Sequence, residues 1–203
     1  MTERPCAPAA LRNREPILAV LTEELRDRSR VLEIGSGTGQ HAVYFAEHLP
    51  HLTWQTSDIG DNHAAIRAWI DHAGLANALQ PLVLDVESDA DPAGEYDAAF
   101  AANTAHIMSP AAVRSMFALL GRLLPEDGCF CLYGPFRLEG EFTSESNAEF
   151  DASLRSRGGD MGIRDIEWLD ELALEAGLRR SGLIAMPANN FIAVWRKIAT
   201  LWA

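Results

Sequence analysis

Short apolar runs alternate with helical stretches along the first two thirds of this chain, and few architectures accommodate that rhythm. VLEIG at 31–35, LTWQTSD at 52–58, LQPLVLDV at 79–86, YDAAFAAN at 96–103 and GCFCLYG at 128–134 read as strands. Between them, 39–49, 62–74 and 110–124 read as helices, the first two ended by Pro50 and Gly74 and the third opened by Pro110. Apolar runs without alternation suit strands buried on both faces. The pattern predicts βαβ units, hence an α/β fold with a parallel sheet and helices on both faces. In the last third, helical segments at 146–157 and 165–177 precede strand-like runs at 178–186 and 191–198. A hairpin of those two runs makes the sheet mixed. One more helix is predicted from Glu15 to Arg28, where Ile17, Leu18, Leu21 and Leu25 follow helical spacing. Residues 1–10 are expected to be mobile. With no repeat or linker in sight, the 203 residues are expected to form one domain.

Composition narrows the chemistry. Seventeen Lys+Arg against 29 Asp+Glu give a net charge of −12, which argues against a nucleic-acid partner. Lys197 is the only lysine, so there is no P-loop, and its place in the last predicted strand disfavours a Schiff base. Cys6, Cys129 and Cys131 are too few and too oddly spaced for a zinc site, so no metal is expected; Cys129 and Cys131 should be buried thiols on one strand face. The first sixteen residues lack the apolar centre of a signal peptide, and no 18-residue apolar stretch occurs. A cytoplasmic protein without a membrane span is expected.

The segment VLEIGSGTGQ sets Gly35, Gly37 and Gly39 between a strand and a helix. In open α/β sheets, ligands sit at the carboxyl ends of the strands, where this loop falls. A dinucleotide fingerprint would continue G-x-G-x-x-G, but Gln40 occupies its third glycine position and Glu33 precedes the loop. An acidic side chain there suits a cation better than a pyrophosphate. Asp58 ends the next strand, where its carboxylate can accept from both hydroxyls of a ribose, and Asp85 ends the third, within reach of an adenine edge.

These residues resemble the class I S-adenosylmethionine (SAM)-dependent methyltransferases. The resemblance implies a Rossmann-like, seven-stranded mixed sheet in the order 3-2-1-4-5-7-6. It also implies that the glycine loop meets the amino-acid part of SAM, that Asp58 with Ile59 lies at the ribose, and that Asp85 with Val86 lies at the adenine. Asn103, at the end of the fourth strand, falls where the family contacts cofactor or substrate. Further peptides, among them RNREPIL (12–18), SGTGQHAVYFA (36–46), LYGPF (132–136), TSESNAEFD (143–151), GIRD (162–165) and MPANN (186–190), resemble the methyltransferase-like family known as domain of unknown function 938. In that setting Arg12 and Asn13 precede the core and are expected at the cofactor, an arginine reaching its carboxylate. Asn13 equally fits a cap of the first helix, and Ser146 with Glu149 fits a capping box. Asn189 and Asn190 fit a turn that needs left-handed backbone.

Methyl transfer is an in-line displacement, and a general base is required only when the acceptor keeps its proton at neutral pH. His106, just past the fourth strand, is the candidate base, and Tyr133, ending the fifth, can donate to a substrate oxygen or wall the pocket. Segment 135–165 is expected to cover the acceptor, which places Asn147, Arg155 and Arg164 on the substrate side of a small molecule. Two other classes remain open at this point: a nicotinamide-dependent oxidoreductase, which Gln40 and Glu33 disfavour, and a non-catalytic relative that binds cofactor without turnover.

Overall fold

The computed structural model describes residues 4–88, 91–158 and 160–199. Seven strands form the main sheet: β1 (Arg30–Ile34), β2 (Thr53–Asp58), β3 (Ala78–Val83), β4 (Ala98–Ala102), β5 (Cys129–Gly134), β9 (Leu178–Met186) and β10 (Asn190–Lys197). Three short strands, β6 (Phe136–Leu138), β7 (Glu141–Phe142) and β8 (Arg164–Asp165), pair separately in the order β7-β6-β8. The main sheet runs β3-β2-β1-β4-β5-β10-β9. Its seven strands counted alone give 3-2-1-4-5-7-6, the short strands having only shifted the numbering. β1 to β5 pair in parallel, whereas β10 lies antiparallel to both β5 and β9.

Helices α1 (Pro8–Glu24) and α2 (Gln40–His48) cover one face; α4 (Pro110–Leu123) and α6 (Ile166–Glu175) cover the other. α3 (His63–Ala73) follows β2, and α5 (Glu145–Arg157) belongs to the insertion between β5 and α6. Alternation along each strand sorts the side chains between the two faces. Leu32, Ile34, Phe130 and Leu132 pack toward α4 and α6, where Trp195 stacks on Phe130 and meets Phe117 edge-on. Val31, Cys129, Cys131 and Tyr133 pack toward α1 and α2 with Phe45, Trp54 and Phe100. Both thiols are buried and free, as their spacing requires. The same parity sends Glu33 to the α1–α2 side. Lys197 donates to the carbonyls of Gly121 and Ala176 at 2.6 and 2.9 Å, so its ammonium is committed to closing the sheet. Among the described residues no helix is long and apolar enough to cross a membrane.

Local chemistry corrects several expected boundaries. α1 begins at Pro8, seven residues before the predicted start, so Asn13 lies inside the helix and does not cap it. Of the segment expected to be mobile, residues 1–3 lie outside the described residues, residues 8–10 form the first turn of α1, and Pro5 and Ala7 are bonded to Trp69 and Gln40. Pro16 lies within α1 and has no N–H to return to the Arg12 carbonyl. α5 is capped by Ser144, whose hydroxyl accepts from the Asn147 N–H at 3.2 Å, and not by the Ser146–Glu149 box. The turn between β9 and β10 has its left-handed residues at Ala188 and Asn189, while Asn190 is extended.

Candidate active site

Where β1 to β4 end, their following loops enclose a cavity of about 440 Å³. Gly35 and Gly37 line it from the β1–α2 loop, Asp58 and Ile59 from the end of β2, Asp85 and Val86 from the loop after β3, and Asn103 from the end of β4. Seven of the eleven residues expected at the cofactor therefore converge. β3 stops at Val83, three residues before its predicted end, and this frees Leu84, Asp85 and Val86 to turn across the opening. Ile59 and Ile107 stand on the wall about half exposed, at 51% and 50%, so the cavity offers apolar surface beside its carboxylates.

The glycines divide their work. An added Cβ on Gly37 would meet no atom within 4 Å, so the backbone there lies open to a ligand. Gly39 does not line the cavity: a Cβ there would come within 3.0 Å of Ile66 Cα, and the residue lets α2 start hard against α3.

Asp58 Oδ2 accepts from the Gly37 N–H at 2.7 Å, and Oδ1 accepts from the Ile59 N–H and the Asn62 amide at 2.8 and 2.9 Å. A carboxylate has about four acceptor positions. One position on Oδ2 is open, and a second opens if the half-buried Asn62 amide swings away, so the two hydroxyls of a vicinal diol can donate to this carboxylate. Asp85 Oδ1 accepts from the Glu87 N–H at 3.0 Å, which leaves its other oxygen for an exocyclic amine.

Glu33 is elsewhere. Only 2% exposed, it accepts from the Ser36 hydroxyl at 2.8 Å and the Trp54 indole at 3.1 Å beneath the loop. Burial pushes its carboxyl up to about 7, against those two bonds. The expectation that it faces a ligand cation is corrected: strand parity turns it into the α1–α2 layer, where it holds the loop through Ser36.

Arg12 and Asn13 do not reach the first cavity. They line a second one of about 300 Å³, together with Ala9, Pro16, Pro187, Ala188, Asn190 and again Asn103. Asn103 is thus the partition between the two cavities, and its backbone is left-handed at φ 58°. Non-glycine residues held there cost roughly 1–3 kcal/mol, a strain that gathers at functional sites. Behind the second cavity, Asn13 Oδ1 accepts from His41 Nε2 at 2.8 Å. Burial lowers His41 to about 4 and raises Tyr133.

His106 and Tyr133 line neither cavity. His106 is 7% exposed, with its ring edge-on to Phe150 at 5.2 Å, and burial followed by the charges of Arg164 and Arg157 brings it down to about 4. The residues expected on the substrate side are bound into the scaffold. Asn147 donates to Thr143 Oγ1 and the Asn189 carbonyl, at 2.9 and 3.0 Å. Arg155 pairs with Asp151, whose other oxygen accepts from the Ile163 N–H. Arg164 donates to the carbonyls of Ala105, Met108 and Asp160. No described residue of the insertion at 135–165 walls either cavity; it acts on them through these links to the 105–108 loop and the β9–β10 turn. The carbonyls that take Asn147 and Arg164 are not revealed by residue type, whereas the Asp151–Arg155 pair follows helical i,i+4 spacing.

A family model described as "Protein of unknown function (DUF938)" matches residues 4–197. A malonyl-[acyl-carrier protein] O-methyltransferase of Geobacter sulfurreducens is 30% identical over 181 residues, covering 87% of this chain and 64% of that protein. An O-methyltransferase family protein from Burkholderia thailandensis superposes with a TM-score of 0.82 at 16% identity, over 95% of this chain and 58% of that one. Human N-acetylserotonin methyltransferase in complex with SAM gives 0.74 at 14% identity, over 92% and 55%. The chain spans less than two thirds of the length of each of these relatives. Fold, strand order and the near-complete family match agree: the chain has the class I methyltransferase fold and belongs to the DUF938 family.

Proposed function

We propose that this protein is a SAM-dependent methyltransferase acting on a small molecule. The observation that carries the reading is the first cavity, where the acceptor oxygens of Asp58 and Asp85, the open backbone at Gly37 and the apolar sides of Ile59, Val86 and Ile107 converge. That set matches a ribose diol, an adenine amine, an amino-acid chain and a purine face. The O-methyltransferase name of the Geobacter relative supports the same class. Bound SAM supplies an activated methyl group on a sulfonium. The chain's part is to orient and to exclude water: Asp58 fixes the ribose, Asp85 and Val86 fix the base, and Asn103 stands at the boundary toward the acceptor. His106 lines neither cavity, and burial makes it a weak base, so this reading gives it no proton to remove. Three free thiols fit a reducing, cytoplasmic setting.

Calorimetry with S-adenosylhomocysteine tests this reading. Saturable binding below millimolar is expected, and none of NADH; the reverse order would make the chain an oxidoreductase. Transfer of label from methyl-labelled SAM to any acceptor separates an enzyme from a relative that only binds.

A further inference from the structure

We propose that the second cavity is the acceptor site and that it takes a small carboxylic acid, methylated on oxygen without a general base. The inference rests on the methyltransferase reading and deepens it. Asn103 lines both cavities, so the two spaces adjoin at this residue. Among the described residues lining the second cavity, Arg12 is the one ionisable group, and it forms no ion pair or hydrogen bond with any described residue. In a chain of net charge −12, an unpaired guanidinium at a cavity mouth selects an anion, and its planar fork matches a carboxylate. Asn103 adds a polar wall, Asn13 and Asn190 being already bonded to His41 and to the Pro187 and Ala188 carbonyls, and Ala9, Pro16 and Pro187 give small apolar sides. The volume of about 300 Å³ holds on the order of ten non-hydrogen atoms, at a water's share of about 30 Å³ each.

The chemistry agrees with what lines the two spaces. The described lining of the second cavity holds no histidine, lysine, cysteine, tyrosine or carboxylate, and the carboxylates of the first, Asp58, Asp85 and Glu87, do not line the second. A phenol, with a pKa near 10, keeps its proton at neutral pH and asks for a base; a carboxylic acid, near 4, has already lost it. A carboxylate oxygen forms the new bond to the methyl carbon with its own lone pair, while the carbon–sulfur bond breaks onto sulfur. An anion and a sulfonium cation become a neutral ester and a neutral thioether, and no proton moves. Arg12 holds the second oxygen of the same carboxylate, which fixes the attacking one.

The test uses the full chain with tritiated methyl-SAM and a defined mixture of short mono- and dicarboxylic acids, phenols and amines. The expected product releases volatile methanol in alkali, as a methyl ester does. Label in a base-stable product, or no label in any member of the mixture while S-adenosylhomocysteine binds, overturns the proposal. Failure of S-adenosylhomocysteine to bind at all overturns the methyltransferase reading instead. Arg12→Gln then reports on position: it should raise the half-saturating acid concentration at least tenfold and leave S-adenosylhomocysteine affinity within twofold. A tenfold loss of S-adenosylhomocysteine affinity, with the acid dependence unchanged, would assign Arg12 to the cofactor's own carboxylate and refute the assignment.

Discussion

Replacing Glu33 by Gln should make the protein's stability less sensitive to pH, in a window that the geometry defines. The folded carboxyl sits near 7 and the unfolded one near 4.5, because burial disfavours the charged form more than Ser36 and Trp54 favour it. Between those values the native chain holds a proton that the unfolded chain has released, so wild-type stability falls as pH rises from 4.5 through 7. At about 1.4 kcal/mol per unit, the loss amounts to roughly 3 kcal/mol and is complete by about pH 8. Glutamine keeps an oxygen for the Ser36 and Trp54 donors and does not titrate. The unfolding free energy of Glu33→Gln minus that of wild type should therefore climb by roughly 3 kcal/mol from pH 4.5 to 8 and then level off. Other titrating groups cancel in this difference. Urea denaturation at half-unit pH intervals measures it. A flat difference would show that Glu33 is ionised in the native protein, with an unseen cation or water beside it. Because Glu33 lies off both cavities, S-adenosylhomocysteine affinity at pH 6 should change by less than about threefold.

Asp58→Ala should weaken S-adenosylhomocysteine binding at least tenfold, about 1.4 kcal/mol, by calorimetry. Asn103→Gly should raise the unfolding free energy by about 1 kcal/mol through relief of its left-handed backbone, while turnover falls because the partition between the cavities is lost. Arg164→Ala should cost about 2–3 kcal/mol and speed amide exchange in residues 105–108, since three carbonyls lose their charged donor. Carbon-detected titration should find His106 still neutral at pH 5, its charge appearing only near pH 4; with the folded value below the free one, its contribution to stability is present above about 6.5 and lost as pH falls through 4.

The fold was legible because its determinants are local and repeated. Buried parallel strands write continuous apolar runs, and a sheet of them has one common connection, so the alternation from Val31 to Gly134 left little freedom. Boundaries failed where one residue satisfies two local rules. Pro16 satisfied the rule for a first helical turn, yet Pro8 satisfied it as well, and the contacts of Pro5 and Ala7 with α3 and α2 decided for the earlier start. Ser144 and Ser146 both fit a helix cap, and the chain uses the one whose backbone is extended, at φ −163°, which leaves Ser146 inside α5.

The site was legible by halves, and the division has a physical reason. Asp58, Asp85, Asn103 and the glycine loop sit where β-strands end, and the edge of a parallel sheet is a place that strand prediction locates. Glu33 stands two residues before Gly35, yet alternation puts a strand residue on one face or the other, and parity counted from buried Leu32 and Ile34 would have turned it away from them. For Asn147 and Arg164 no such count exists, although Arg155 stands four residues after Asp151 on one helix face. A polar side chain in an insertion can bind a ligand or replace the missing ladder bonds of an irregular segment, and the second need grows as regular structure shrinks. Within segment 135–165, Arg164 on the short strand β8 is consumed by the carbonyls of Ala105, Met108 and Asp160, while Asn147 and Arg155 on α5 are taken by Thr143, the Asn189 carbonyl and the Asp151 carboxylate. Arg12, on α1, meets no such partner among the described residues, and its donors are left over for an anion.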